Sequence, residues 1–175
     1  VLVRKGRGNR VDNLDDLDIA ILDQLEKDGR MPFTELAKTL GKPTSTVRDR
    51  VQRLEQSGVI RGYSADIDLG KLGYAIKAVV QTSRDQRVPV QDLLDSVARV
   101  AEIERVQLMT GETDELITIY VRDVDHLRRF LYDDIVQLPG ISRTSSTIVL
   151  HEVVYPVVEK MARCTAPGQG QDDKP

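Results

Sequence analysis

Residues 44–60 read TSTVRDRVQRLEQSGVI and place Val47, Val51 and Leu54 at helical spacing, a single apolar stripe. Thr44, Ser45, Thr46, Arg48, Gln52 and Arg53 then point elsewhere. A helix with so narrow a stripe must dock on other helices along one side while the rest of its surface stays polar. Asp49 and Glu55 mix in the opposite sign, so the stretch by itself also fits an ordinary solvated face, and its neighbours have to decide.

The segment LDDLDIAILDQLEKDGR puts Leu14, Leu17, Ile21 and Leu25 on one helical face, with Asp15 and Asp18 where a helix start gains from acceptors and negative charge. It predicts a first helix over 16–27, closed at Asp28-Gly29. PFTELAKTLG predicts a shorter second helix: Pro32 suits the first turn, Leu36, Ala37 and Leu40 face inward, and Gly41 can take a left-handed C-cap. The 44–60 helix follows directly. A helix, a tight glycine turn and another helix form the arrangement in which the second helix can enter a major groove. Arg48, Arg50 and Arg53 then suit phosphate or guanine, and Thr44, Ser45, Thr46 and Gln52 suit base edges. Asp49 can accept from cytosine or pair with a neighbouring arginine. After Gly58, the residues Val59, Ile60, Tyr63, Ala65 and Ile67 predict short extended segments, a wing or a linking strand.

The net charge of −3 is unevenly spread. Residues 1–63 hold 12 Lys+Arg against 10 Asp+Glu, whereas 64–175 hold 13 against 18. A mildly basic front half on an acidic back half indicates two tasks. With 40% hydrophobic and 30% charged residues, the 175-residue chain reads as globular. Its apolar runs, such as 78–80 and 148–150, are too short to span a bilayer, and no signal-peptide core follows the basic start, so a cytoplasmic location is the default. The lone Cys164 precludes an internal disulfide or a cysteine-built metal site. No phosphate loop, HExxH or nucleophile elbow is present, and no catalytic residue, metal ligand or cofactor is expected.

In the back half, YAIKAVVQTS (74–83) is a predicted strand and VQDLLDSVARV a helix through Leu93, Leu94, Val97 and Val100. EIERVQLMTG alternates through Ile103, Val106 and Leu108. Gly111-Glu112-Thr113-Asp114 suits a hairpin loop leading into the strand ELITIYV. A helix is expected from an N-cap at Asp125, with Leu127, Phe130, Leu131, Ile135 and Leu138 inward, ended by Pro139-Gly140. ISRTSSTIVLHEVVY predicts a last strand. Strand, helix, strand, strand, helix, strand fits a ferredoxin-like split βαβ unit. One face of such a sheet is open, and the apolar residues of 74–82 and 144–154 predict dimerisation through it. The expected organisation is a basic arm (1–12), a helix-turn-helix domain (13–63), a linker (64–73), a ferredoxin-like domain (74–160) and a disordered tail (161–175). The arm either contacts DNA or is extraneous.

These landmarks, together with LGY at 72–74, GETDELI and LPGISRTSSTIVL, resemble the Lrp/AsnC family of leucine-responsive or feast/famine transcription regulators over roughly 13–155. The resemblance implies an α+β protein with an N-terminal winged helix-turn-helix domain and a C-terminal ferredoxin-like βαββαβ (RAM-type) domain. It implies double-stranded DNA as partner, a homodimer assembling further into tetramers or octamers, and a small-molecule effector, commonly an amino acid, bound between subunits. Carried over by position, Asp114 would accept from an effector ammonium, Gly111 would offer backbone groups, and Thr144 and Ser146 would face the same cleft. Read from the residues alone, Asp114 also suits a hairpin cap and the two hydroxyls also suit pairing across strands. The chain departs from the family at Pro32 and at Lys42-Pro43, where serine caps are usual; Thr44 is expected to take over the second cap, and Lys42 adds a cation to the DNA face. Two rivals are an architectural DNA-binding protein with no effector and a sirohaem decarboxylase of the same fold. The basic 44–60 helix argues against the second.

Overall fold

The computed structural model describes residues 14–158 and 160–161, which fall into two compact units. The predicted basic arm and nearly all of the predicted tail lie outside the described residues.

The first unit begins with helix α1 (Asp16–Lys27), where Asp15 accepts from the Asp18 N–H at 2.9 Å and Asp18 accepts from the Asp15 N–H at 3.1 Å. This reciprocal capping box satisfies two of the helix's free donors. Helix α2 (Phe33–Leu40) ends at Gly41, whose φ of 62° is the left-handed conformation that a side chain would resist. Only Gly41, Lys42 and Pro43 separate it from α3 (Thr44–Gln56). Pro32 and Pro43 occupy the N-cap positions, neither with a side-chain cap, so Thr44 is the first helical residue and not the cap expected from its hydroxyl. Ile21, Leu36, Ala37, Val47, Val51 and Leu54 make the buried core, flanked by Leu17, Leu25, Leu40, Val59 and Ile60. Leu14 lies at the solvent edge, ahead of the cap.

Residues 61–68 pair with no strand, so the linking alternative describes them better than a hairpin wing. Tyr63 donates its hydroxyl to Glu55 at 2.9 Å. Partial burial, then that carboxylate, pushes the phenol up to about 12. The described residues from Val154 to Met161 group with this unit, and the Val157 and Val158 N–H groups donate to the Glu26 carboxylate.

The second unit opens with a single 3₁₀ turn (Leu69–Leu72) capped by Asp68. Then come β1 (Ile76–Arg84), α4 (Val90–Val97), β2 (Ile103–Leu108), β3 (Glu115–Val121), α5 (Val124–Arg129) and β4 (Ile141–Ile148). The sheet order is β2-β3-β1-β4, antiparallel throughout, as a split βαβ unit requires. Ala78, Val80, Ile117, Ile119 and Val121 turn to one face and pack on Leu93, Val97, Leu127, Phe130 and Ile135. In β2 the ladder slips between Ile103 and Arg105, two residues opposing one of β3. That bulge lets Ile103 and Val106, three apart in sequence, share the core face.

Three expectations need correction. The cap of α5 is Asp123, not Asp125: its carboxylate accepts from the His126 N–H at 2.6 Å. Beyond Arg129 the helix widens into a π turn (Phe130–Asp134) and tightens into a 3₁₀ turn (Ile135–Gln137), which carries Ile135 and Leu138 back to the core. The last strand stops at Ile148 and does not run on to Tyr155. Val149 still donates to the Lys77 carbonyl, but β1 begins at Ile76, one residue further, so 151–155 have no β1 residue opposite them. The open sheet face is also less apolar than expected: by register Val79, Leu116 and Tyr120 share it with Lys77, Gln81, Thr118, Ser145 and Thr147. Exposed apolar side chains include a run after β4, at Leu150, Val153, Val154 and Tyr155, with Leu150 95% exposed.

Candidate functional site

Helix α3 divides its residues as 100° per residue dictates. Val47, Val51 and Leu54 are buried; Ser45, Arg48, Asp49 and Gln52 project on the opposite side and are exposed, as is Lys42 in the turn before them. Thr44 and Thr46, on either flank of the first turn, are half-buried. Arg48 stacks its guanidinium 5.8 Å from the centre of the Phe33 ring on α2, a contact that steadies a long cation without neutralising it.

Arg50 and Arg53 behave differently. They lie on the flank of α3 that meets α1, where Arg50 Nη1 donates to both Asp15 and Asp18 and Arg53 Nη2 donates to Asp18 at 2.5 Å. Asp18 is entirely buried and these contacts provide its ion pairs. Reading α3 alone gives these arginines to DNA; the fold gives them a second employment as the electrostatic tie between α1 and α3. The signal was present in the sequence, since Asp18 lies three residues before Ile21 on the apolar side of α1, where an acid requires a partner. The Arg50 guanidinium beside Asp15 holds that carboxyl below its usual 3.8. A depressed carboxylate contributes stability above its usual value, and the contribution fades as pH falls through the lowered one.

The second candidate site sits at one end of the sheet. Gly111 (φ 128°) forms part of the β2–β3 hairpin, whose closing bond runs from the Met109 N–H to the Asp114 carbonyl at 2.8 Å. Asp114 is half-buried. Its carboxylate accepts from the Arg84 N–H and from Gln86 Nε2, each at 2.8 Å, and its own N–H donates to the Thr82 carbonyl. Thr144 lies opposite Thr82 and Ser146 opposite Val80 in the β1–β4 ladder, both exposed on the edge strand. Asp114 and Thr144 therefore flank the last residues of β1 from its two sides, with Ser146 one step further along.

Beneath them lies a cluster that sequence reasoning missed. Glu115, 0% exposed, accepts from the Thr82 hydroxyl at 2.7 Å and from Arg84 Nε at 3.0 Å, while Arg84 Nη1 reaches the Val88 carbonyl at 2.6 Å. A buried carboxylate with two side-chain donors is a satisfied ion pair that sets the position of the Arg84 backbone, and through its N–H that of Asp114. Of the two histidines, His126 is buried, its Nδ1 accepting from the Arg122 N–H and its Nε2 3.3 Å from Glu102, whereas His151 is exposed beyond β4.

The comparisons with known proteins fit this two-part geometry. Residues 14–55 match the model of the AsnC-type helix-turn-helix domain, and residues 78–158 that of the Lrp/AsnC ligand binding domain. The chain is 32% identical over 143 residues to the leucine-responsive regulatory protein of Escherichia coli K12, covering 81% of this chain and 87% of that protein. The chain belongs to the Lrp/AsnC family of transcription regulators. A Pyrococcus abyssi relative described as an uncharacterized HTH-type transcriptional regulator is 34% identical, covering 85% of this chain and 92% of that one. Among solved structures, a Neisseria meningitidis transcriptional regulator in complex with L-Met superposes with a TM-score of 0.76 at 27% identity, over 83% of this chain and 96% of that one. Like other Lrp/AsnC members, this chain thus pairs a helix-turn-helix domain with a ligand-binding domain in an α+β architecture. No helix among its described residues is long and apolar enough to cross a membrane.

Proposed function

We propose that this Lrp/AsnC regulator is a sequence-specific DNA-binding protein of the cytoplasm whose DNA binding or assembly responds to a small molecule of the amino-acid class. The outward face of α3 carries the reading: Lys42, Ser45, Arg48 and Gln52 are exposed together, opposite a stripe fixed in a three-helix core. Two such helices of a homodimer would enter successive major grooves roughly 34 Å apart. The dimer would form through the open sheet face and build further into tetramers or octamers. An amino acid would place its ammonium at Asp114 and its carboxylate near the Gly111 backbone, Thr144 and Ser146, and would shift the DNA-bound population only by its different affinity for two arrangements.

Arg48→Ala is expected to cost about 1–3 kcal/mol of operator affinity if the guanidinium reads a base, or to flatten the salt slope by about 1 if it holds a phosphate. Unchanged affinity and slope would remove α3 from the interface. The deciding experiment is a gel-shift titration on the promoter of the protein's own gene at fixed salt, with each of the twenty amino acids, for the native chain and Asp114→Asn. Asparagine keeps an acceptor for the Arg84 N–H but loses the charge an ammonium needs. The expected result is a shift that one amino acid changes in the native chain and leaves unchanged in the variant.

One observation favours a second reading. Both Asp114 oxygens already have donors within the chain, which suits a purely structural aspartate in an architectural DNA-binding protein. A specific shift that no amino acid alters would select it.

A further inference from the structure

Two guanidiniums and two carboxylates meet where α1 begins and α3 runs past it. The arrangement is asymmetric in burial. Asp18 has no exposed side-chain surface and holds both Arg50, at 3.2 Å, and Arg53. Asp15 is 50% exposed and holds Arg50 alone. A buried carboxylate cannot release its partners without a desolvation penalty, whereas a half-exposed one exchanges them with water. Arg53 lies on the flank between the contact with α1 and the outward face of α3, Arg50 nearer the buried stripe with 29% of its side chain exposed, and a guanidinium fork donates to carboxylate and to phosphate in the same bidentate geometry. Locally the two positive charges are balanced by two negative ones, so what α3 offers a DNA backbone on this flank is smaller than its arginine content implies.

We infer that Asp15 and Asp18 are an internal substitute for DNA phosphate: Asp18 positions Arg50 and Arg53 on the flank of α3, and Asp15 restrains Arg50 and weakens the grip on the backbone. The inference rests on the DNA-binding reading above and adds to it a residue of α1 that sets non-specific affinity without touching DNA. It also gives the acidic start of α1 a second task beyond capping. Restraint of this kind raises discrimination, because the sequence-independent phosphate contribution falls while the contacts of Ser45, Arg48 and Gln52 are left in place.

The test uses the full chain and a random-sequence duplex, since the phosphate contribution does not depend on sequence. The native chain, Asp15→Asn, Arg50→Gln and the double variant are titrated between 50 and 200 mM salt. Asparagine ranks with aspartate as an N-cap, so α1 keeps its start; Asp15→Ser repeats the test with a different cap. The expected result for Asp15→Asn is tighter binding and a salt slope steeper by about 0.9, equivalent to roughly 3.5-fold more affinity lost across that salt range. In the Arg50→Gln background the same substitution should change neither quantity, because the restraint acts through Arg50. An Asp15→Asn variant that binds like the native chain overturns the proposal. So does a gain that persists undiminished without Arg50, which would mark a general charge effect. A native chain that leaves the duplex unbound even at the lowest salt removes the DNA-binding reading itself, and the proposal with it.

Discussion

Arg84→Met should lower the free energy of unfolding by about 3–5 kcal/mol, because it leaves the buried Glu115 carboxylate with the Thr82 hydroxyl as its one remaining side-chain donor. The loss is expected as a fall in the urea midpoint with little change in slope. The effect comes from stranding a charge and not from losing a contact of large net value. Replacing all three members together, Thr82→Val with Arg84→Met and Glu115→Leu, should therefore restore most of the loss. A single variant as stable as the native chain would mean that Glu115 finds water or another donor. The same substitution has a functional reading, since the Arg84 backbone is what Asp114 holds. A displaced Arg84 should blunt any effector response before it unfolds the sheet.

Leu36→Ala is the second large effect, about 2–5 kcal/mol from the lost transfer energy and the cavity left among Ile21, Val47, Val51 and Leu54. Few residues share that core, and none of them belongs to the sheet core. A loss of this size takes most of what a unit so small can hold in reserve. The expected observation is a thermal transition that splits in two, helical signal and DNA binding disappearing first while the sheet persists. One transition at the native temperature would sink the assignment of two independently packed cores.

Where the sequence was legible, local rules and tertiary packing agreed. Helix α1 was readable because Asp15 caps it and Asp28-Gly29 closes it, with the apolar positions between them at one spacing. The hairpin at Gly111 was readable because its loop residues require positive φ and polar ends. Errors arose where two local solutions were equivalent or where the deciding partner was distant. Asp123 and Asp125 offer the same capping carboxylate two residues apart, and the helix uses the first, which accepts from the His126 N–H. Residues 149–155 have strand-like residues, but a strand needs a neighbour, and β1 begins at Ile76. The candidate residues of α3 were chosen from its wheel alone, so the carboxylates 32 and 35 positions earlier that engage Arg50 and Arg53 did not enter. Likewise, Asp114 was read within its hairpin, whereas its carboxylate is held by the end of β1, 30 residues away.

The buried stripe of Val47, Val51 and Leu54 fixes the rotational phase of α3. One residue inserted within α3 between Arg48 and Val51 would swing Ser45 and Arg48 by about 100° relative to Val51 and Leu54. The spacing within the helix is thus locked, while the identities of the outward side chains are free of the core that carries them. On the proposed reading the domain works like a holder with an interchangeable key: Ser45, Arg48, Asp49 and Gln52 are exposed positions where substitution would alter operator preference without disturbing the packing of the three helices.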